Sequence, residues 1–306
     1  MKYPYVENCP PTASGLPTTY YVETVVACDL KCPECAIGSG SITRRKKSMT
    51  LTEFKIVASC IREYAKLVYL HKWGEPTLNK NLPEMVAITS EFAHSHIMTH
   101  GLRLSGEKGY RLVDAGLGTL IFSIDGISQD VYEIYRVGGK AEVAWQNLES
   151  IANYVSKNNI DIDLMAQLIV FKHNEHEVEQ FLSRCNSLGV RPNLRTAYMR
   201  FGDVARPDNP KYQRQLASSP EEHLDFISKC DHADRTMTIT ADGSCLLCSQ
   251  DYNADFGLPN LIVEKSVEKI WNEQRYKELR RAIVDRDPPK ICLKDCTIYA
   301  GAYGEG

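Results

Sequence analysis

The sequence lacks the features that mark several protein classes. No apolar run in its 306 residues approaches the ~18 residues that a membrane-spanning helix needs. The opening MKYPYVENCPPTASG has no apolar signal-peptide core, so we expect a cytoplasmic protein without a membrane partner. The formal net charge is only -3, which gives no support to nucleic acid as a partner. The dense basic run TRRKKS at 43–48 is expected to be a solvated loop.

Cysteine, in contrast, is plentiful and clustered. The chain has 11 cysteines, and in a reducing compartment clustered thiols indicate metal or redox chemistry rather than disulfides. Most of them fall in two groups, which are Cys28, Cys32 and Cys35, and Cys230, Cys245, Cys248, Cys292 and Cys296. The two groups are therefore the first candidates for metal sites.

The order of the segments predicts an α/β fold. Strand-like and helix-like segments alternate six times from residue 20 to about residue 201, at about 30 residues per unit, which favours a parallel sheet. Six units are too few for a closed eight-stranded barrel but fit an open, partial (β/α)6 barrel. Active sites in such folds lie at the carboxyl ends of the strands. We expect an N-terminal segment (1–19), the barrel (20–205), and a linker with a small α+β extension (206–306).

The first cysteine group suits a particular kind of metal site. Iron–sulfur cubanes are held by thiolates and normally take four. The segment ACDLKCPECA supplies three within one loop, which leaves one iron of a cubane with an open position. That position can hold a chelating substrate.

The motif CDLKCPEC resembles the signature of the radical S-adenosylmethionine (radical SAM) enzymes. WGEPTL (73–78) is similar to the family's Gly-Glu-Pro element, THG (99–101) to its Thr-Asn-Gly element, and FSIDG (122–126) to its ribose-contacting strand. The resemblance implies that Cys28, Cys32 and Cys35 hold a [4Fe-4S] cluster with an open iron. It implies that S-adenosylmethionine is bound by Gly74, Glu75, Pro76, Thr99, Ser123 and Asp125.

Three of these positions carry a geometric expectation, and one nearby residue departs from the family. Glu75 would accept a charge-assisted hydrogen bond from the methionine ammonium. The period of two along a strand puts Ser123 and Asp125 on one face, toward the interior. The family usually has an aromatic residue just before the third cysteine, whereas this chain has Glu34.

The resemblance also implies a reaction. The open iron would chelate the amino and carboxylate groups of S-adenosylmethionine, and an electron would then release a 5′-deoxyadenosyl radical that abstracts hydrogen from a substrate. The electron would come from a flavodoxin- or ferredoxin-type donor.

The second cysteine group allows two metals on spacing alone, because structural zinc also uses distributed cysteine pairs. DGSCLLCSQD, GLPNL, SVEKIW and YKELR resemble the SPASM and shorter "twitch" extensions of radical SAM enzymes. That resemblance implies one auxiliary [4Fe-4S] cluster held by Cys230, Cys248, Cys292 and Cys296. Cys245 is then left over, as an inward-facing strand residue, an alternative ligand, or a catalytic hydrogen-atom donor.

The substrate is the least determined part. We expect a small polar molecule (a sugar, aminocyclitol or nucleoside-linked sugar) that is oxidised or epimerised, because some twenty residues before the first strand are too few for a leader-binding domain. A ribosomal peptide, crosslinked or epimerised, is the alternative. A zinc- or cluster-bearing carrier without catalysis is a third hypothesis.

Polar residues near the end of the barrel are candidates for substrate contact. Arg195 in the sixth strand would orient a hydroxyl or stabilise charge, or else pair within the barrel wall. Alternation puts Arg195 on one face and Thr196, Tyr198 and Arg200 on the other, without deciding which face looks inward. His71, Gln167 and Tyr198 are weaker candidates of the same kind.

Overall fold

A computed structural model describes residues 15–197, 204–213 and 219–295. Within them, eight strands form a single sheet in the order β6-β5-β4-β3-β2-β1-β7-β8. The strands are β1 (Thr19–Val22), β2 (Leu67–Tyr69), β3 (His94–Thr99), β4 (Thr119–Ser123), β5 (Asp163–Val170), β6 (Arg191–Thr196), β7 (Thr236–Ile239) and β8 (Cys245–Leu246).

Helices fill the segments between these strands and beyond them. Those of the barrel are α1 (Leu51–Ile61), α2 (Leu82–Ser90), α3 (Glu107–Asp114), α4 (Gln129–Tyr135), α5 (Ala141–Asn158) and α6 (Val178–Ser187). Those of the C-terminal part are α7 (Pro220–Ser228), α8 (Asp231–Asp234), α9 (Leu261–Glu264), α10 (Val267–Trp271), α11 (Gln274–Val284) and α12 (Lys290–Asp295). Among the described residues, no helix is both long and apolar enough to cross a membrane.

The six strands of the predicted barrel pair only in parallel. β6 forms one edge of the sheet and is not paired with β1, so the partial, open (β/α)6 barrel is confirmed. The local signals were also informative: Thr50 and Glu53 form the capping box that begins α1. α4 was not predicted. The sequence SVEKIWNEQRYKELRRAIV predicts one helix, but the segment is divided into α10 and α11, and the Glu273 side chain caps the second.

The C-terminal hairpin does not form a separate small sheet. β7 pairs in parallel with β1, with Tyr21 opposite Thr238, and β8 follows β7 in antiparallel pairing. The hairpin therefore extends the barrel sheet beyond its first strand. Between β6 and β7 the chain therefore crosses from one edge of the sheet to the other.

The sheet has an apolar outer face and a polar inner face. On the outer face Tyr20, Val22 and Ile239 are fully buried in the core beneath the helices. We call the other side the inner face and define it by Tyr21, Tyr69, His96, Gln167 and Asn193. Tyr21 stacks on Tyr69 with ring centroids 4.2 Å apart, and Asn193 donates to Oε1 of Gln167 at 3.0 Å. A face lined in this way suits a polar substrate.

The basic run at 43–48 is not simply solvated. Both terminal nitrogens of Arg44 donate to the carboxylate of Glu23 at 2.9 Å, and its Nε donates to the carbonyl of Tyr252 at 2.6 Å. Glu23, which is fully buried, also accepts from the backbone N–H of Ala241 at 3.0 Å. Arg44 thus connects the cysteine loop region to the C-terminal part of the chain.

Candidate active site

The three N-terminal cysteines lie in one compact loop after β1. The backbone N–H of Leu30 points at Sγ of Cys28 at 3.4 Å, and that of Cys35 donates to the carbonyl of Cys32 at 3.1 Å. The loop then folds back on itself, since a Cβ on Gly38 would lie 2.1 Å from the Cys32 carbonyl oxygen. Only glycine allows this approach, which keeps the cysteines together.

The electrostatics of the loop fit a cluster. Burial raises the pKa of Cys28 to about 12, and repulsion from Glu75, Cys32 and Cys35 adds to the shift. Burial likewise raises the pKa of Cys32, although Arg136 opposes it. Neighbouring buried thiols of this kind resist ionisation unless a cation accompanies them. Cluster iron is such a cation, so the donor set fits the [4Fe-4S] group that the motif implies.

The Gly-Glu-Pro loop lies directly against the start of the cysteine loop. The backbone N–H of Glu75 donates to the Ala27 carbonyl at 2.8 Å. A Cβ on Gly74 would lie 2.0 Å from the Val25 carbonyl oxygen, so the approach requires glycine. Sγ of Cys35 in turn lies 3.9 Å from the carbonyl oxygen of Trp73. The two motifs are therefore one structural unit.

The carboxylate of Glu75 is already surrounded by protein donors. Its Oε1 accepts from the hydroxyls of Thr77 at 2.6 Å and Thr99 at 2.7 Å, and its Oε2 accepts from the backbone N–H of His100 at 3.0 Å. Pro76 begins the three-residue 3₁₀ turn Pro76–Leu78, which the Glu75 side chain caps. The carboxylate thus fixes the loops after β2 and β3. Its contact with the methionine ammonium stays a prediction.

His100 joins these loops to the cysteine loop. Its Nε2 lies 2.8 Å from Oδ1 of Asp29 and 3.4 Å from Oε2 of Glu75. Asp29 also accepts from Nε of Arg103 at 2.8 Å. Burial alone would raise the pKa of Asp29, but the hydrogen bond and charge of His100 lower it on balance. Loops that are far apart in sequence are therefore held together around Cys28.

The strand ending in Ser123 and Asp125 has the predicted orientation. Phe122 and Ile124 are buried in the outer core, whereas Ser123 lies opposite Gln167 of β5. Asp125 is fully buried, and its Oδ1 accepts from the backbone N–H of Ile169 at 2.6 Å. Both residues therefore belong to the inner face.

Arg136 connects this strand to the cysteine loop. Its Nε donates to Oδ2 of Asp125 at 2.5 Å, and its Nη1 lies 3.7 Å from Sγ of Cys32. A guanidinium in this position neutralises the carboxylate and also offers a charge-assisted N–H to the thiolate.

The structure decides the orientation of Arg195. Arg191 pairs with Asp163 and Asn193 contacts Gln167, so the odd-numbered residues of β6 belong to the inner face. Arg195 shares their parity and lies opposite Ile169. His71 also belongs to this face, with its ring 5.6 Å from that of Tyr69. Tyr198 and Arg200 lie outside the described residues.

Cys245 is not brought to the inner face. It lies opposite Ile239 in the hairpin, and its Sγ is 4.0 Å from Sδ of Met237 in the outer apolar core. Burial raises the pKa of its thiol to about 12. This position favours a packing role, and it separates Cys245 from the groups that would meet a substrate radical.

Three of the four predicted auxiliary ligands lie in or just after C-terminal elements. Cys230 follows α7, Cys248 follows β8, and Cys292 lies in α12. The backbone N–H of Gln250 points at Sγ of Cys248 at 3.3 Å, as Leu30 does at Cys28. Cys296 lies outside the described residues.

Four residues that sequence reasoning did not select hold this site together: Asp29, Arg44, His100 and Arg136. Each contacts a partner at least 21 residues away in the chain. Arg136 also pairs with Asp125, 11 residues away across the unpredicted α4. Of the four, only Asp29 and His100 had a signal in the sequence, because they are adjacent to Cys28 and Thr99.

Family comparison agrees with this geometry. Residues 22–185 match the Radical SAM superfamily. The chain belongs to the radical SAM superfamily. Residues 230–297 match the SPASM iron-sulfur cluster-binding domain, a range that begins at Cys230 and includes all four predicted auxiliary ligands. The cofactors of the chain are therefore S-adenosylmethionine, a [4Fe-4S] cluster and auxiliary iron–sulfur cluster binding in the SPASM domain.

Curated relatives of this radical SAM chain include peptide-modifying enzymes. A PqqA peptide cyclase of Bradyrhizobium diazoefficiens is 27% identical over 169 residues, which cover 55% of this chain and 43% of that protein. The PqqA peptide cyclase of Rhizobium meliloti is 24% identical over 289 residues, covering 84% of this chain and 74% of that protein. The chain thus spans less than half of the first relative and about three quarters of the second.

Solved structures share the fold. Streptococcus suis SuiB bound to its precursor peptide SuiA superposes with a TM-score of 0.69 at 10% identity, covering 95% of this chain and 76% of SuiB. BtrN in complex with AdoMet and 2-DOIA gives a TM-score of 0.59 at 17% identity, covering 92% of this chain and 93% of BtrN.

Proposed function

We propose that this radical SAM enzyme modifies a peptide substrate. The observation that carries the proposal is the alignment with a PqqA peptide cyclase over 84% of the chain. The expected preference for a small polyol has no comparable support, because the likeness to BtrN concerns the fold. The hypothesis of a carrier without catalysis is not favoured either, since carriers have no need of an S-adenosylmethionine site.

Residues of the inner face would bind the substrate. When bound, the cluster supplies the electron that splits S-adenosylmethionine into methionine and the 5′-deoxyadenosyl radical that removes hydrogen from the substrate. Cys28, Cys32 and Cys35 would hold that cluster, and Gly74, Glu75, Pro76, Thr99, Ser123 and Asp125 would orient S-adenosylmethionine beside it. Arg195 and Gln167 would offer hydrogen bonds to a polar substrate from the neighbouring strands β6 and β5 of the inner face.

The chain's own residues would also organise the site. Arg136 neutralises Asp125 and supports Cys32. His100 and Glu75 keep the loops after β1, β2 and β3 in contact. Cys230, Cys248, Cys292 and Cys296 would hold the auxiliary cluster.

Size-fractionated extract of the source organism tests the substrate class. Anaerobically reconstituted enzyme is given S-adenosylmethionine and dithionite, and release of 5′-deoxyadenosine is measured with each fraction. We expect the peptide fraction to raise release above the uncoupled rate, and protease treatment of that fraction to abolish the increase. Stimulation by a low-mass fraction that survives protease would instead restore the polyol hypothesis.

The Cys28→Ala, Cys32→Ala, Cys35→Ala triple variant is the control for radical formation. It keeps the auxiliary ligands but should release no 5′-deoxyadenosine with any fraction. Release by this variant would contradict the assignment of the first cluster.

A further inference from the structure

Lys72 is a cation with unusual neighbours. It lies two residues before Gly74, in the loop that follows β2. Its Nζ lies 3.8 Å from the centroid of the Tyr21 ring and 5.6 Å from that of Trp73. Tyr69 stacks on Tyr21 with the planes 6° apart, so the ammonium occupies the opposite face of that ring. Lys72 therefore rests on the inner face, supported by aromatic rings.

Among the described residues, no carboxylate lies within ion-pairing distance of Lys72. Burial lowers its pKa to about 8, against the opposing influence of the Cys248 thiol and, more weakly, of Glu23. Glu23 is already engaged by both terminal nitrogens of Arg44 and by the Ala241 N–H. A partly buried ammonium without an anionic partner is costly, so a further negative charge is needed beside it.

The rings around Lys72 lead to the auxiliary cysteines. The Tyr21 ring lies 5.9 Å from the ring of His232, which follows Cys230 by two residues. The Trp73 ring lies 6.5 Å, edge on, from the ring of Tyr252, which follows Cys248 by four residues. Each aromatic ring beside Lys72 therefore contacts a residue that follows a predicted auxiliary ligand within four positions.

We propose that Lys72 is the counter-cation of the auxiliary iron–sulfur cluster and that its charge raises the reduction potential of that cluster. A cubane held by four thiolates is anionic, and one-electron reduction adds another negative charge. A fixed positive charge nearby stabilises the reduced form more than the oxidised one, and more strongly where water is largely excluded. In this step one electron enters the cluster, while no bond changes and no proton moves.

In this proposal Lys72 changes the reduction potential of the cluster and does not touch the substrate. The proposal does not depend on what the substrate is. The higher potential would make the auxiliary cluster a better electron acceptor during turnover.

A redox titration of the auxiliary cluster alone provides the test. The full chain carries Cys28→Ala, Cys32→Ala and Cys35→Ala, so that the remaining cluster signal comes from the C-terminal part. Its midpoint potential is measured by electron paramagnetic resonance in the parent and in Lys72→Met and Lys72→Arg variants. Lys55→Met, on the exposed side of α1, is the matched control, because it removes the same charge at a distance.

We expect Lys72→Met to shift the midpoint to a more negative potential, and Lys72→Arg and Lys55→Met to keep the parent value. An unchanged midpoint in Lys72→Met at full iron and sulfide content would overturn the proposal. So would an equal shift in Lys55→Met, since net charge alone would then explain it.

Cluster content gives a second readout. Loss of the cluster in Lys72→Met and Lys72→Gln with retention in Lys72→Arg would support the pairing, because only the charge distinguishes these variants. Loss in all three, or a parent protein without any auxiliary cluster, would contradict it. None of these results depends on a peptide substrate, so failure here is separable from failure of the proposed function.

Discussion

Nε2 of His100 lies 2.8 Å from Oδ1 of Asp29, so the loop after β3 is fastened to the residue that follows the first cysteine. The imidazole is nearly fully buried, whereas Asp29 is one third exposed. The contact therefore has a protected half and a solvated half. It is a direct side-chain connection between the cysteine loop and the predicted S-adenosylmethionine loops.

Replacing His100 by Leu should weaken cofactor binding. Loss of a hydrogen bond to a charged group costs about 1.5 kcal/mol, which corresponds to roughly tenfold in affinity. Equilibrium dialysis of S-adenosylmethionine against anaerobically reconstituted protein measures it. Arg103→Met is the control, since it removes only the solvated contact of Asp29. Equal affinity in His100→Leu and the parent, at equal iron content, would rule out the positioning role.

Replacing Arg136 by Met should destabilise the protein. The change leaves the carboxylate of Asp125 buried without its partner, which costs about 3 kcal/mol or more. Guanidinium unfolding followed by circular dichroism measures the free energy of unfolding. In the double variant Arg136→Met, Asp125→Asn, the buried charge is absent, so part of the stability should return. If the double variant were no more stable than Arg136→Met, the ion pair would not be the cause.

Replacing Gly74 by Ala should separate the Gly-Glu-Pro loop from β1. The new methyl group would lie 2.0 Å from the Val25 carbonyl oxygen, and relief of such a clash by backbone movement costs roughly 1–3 kcal/mol. We expect both the free energy of unfolding and the affinity for S-adenosylmethionine to fall. Gly189→Ala is the comparison: its φ is 64° with open space around it, so it should cost stability but leave affinity unchanged. Parallel losses of affinity in the two variants would point to general destabilisation.

Cys245 and Cys248 should respond in opposite ways to substitution by Ala. Cys248→Ala removes a predicted ligand and should reduce iron by about four atoms per chain, as expected for one cubane. Cys245→Ala should keep its iron and its 5′-deoxyadenosine release, while the free energy of unfolding falls by about 1 kcal/mol because a buried side chain is shortened. Loss of iron or of turnover in Cys245→Ala would restore the ligand or hydrogen-donor hypothesis.

Elements with a strong period were predictable from the sequence. The helical period of AEVAWQNLESIANYVSKN predicts one helix over those residues, and they form α5 (Ala141–Asn158). The alternation around Ser123 gave the correct face because one side of β4 must enter an apolar core. The cysteine spacing and the strand-end motifs led to the correct family because each motif depends on a few neighbouring residues.

Relationships that depend on tertiary contact were not predictable. Arg44 was expected in a solvated run, yet it pairs with Glu23, which precedes the cysteine loop in the sequence while Arg44 follows it. The face of Cys245 could not be decided until β8 was paired with β7. The position of the hairpin beside β1 has no local signal, because β1 and β7 pair in parallel although they are far apart in the chain.

The pairing of β7 with β1 has a mechanical consequence. β1, which leads into the first cysteine loop, pairs with β7, and β7 pairs in turn with β8, which leads to Cys248. Arg44 links the same region through Glu23 and the Tyr252 carbonyl. The loop that carries the first three cysteines and the segment that carries Cys248 are thus joined through one sheet, and we expect them to move together rather than as separate hinged bodies.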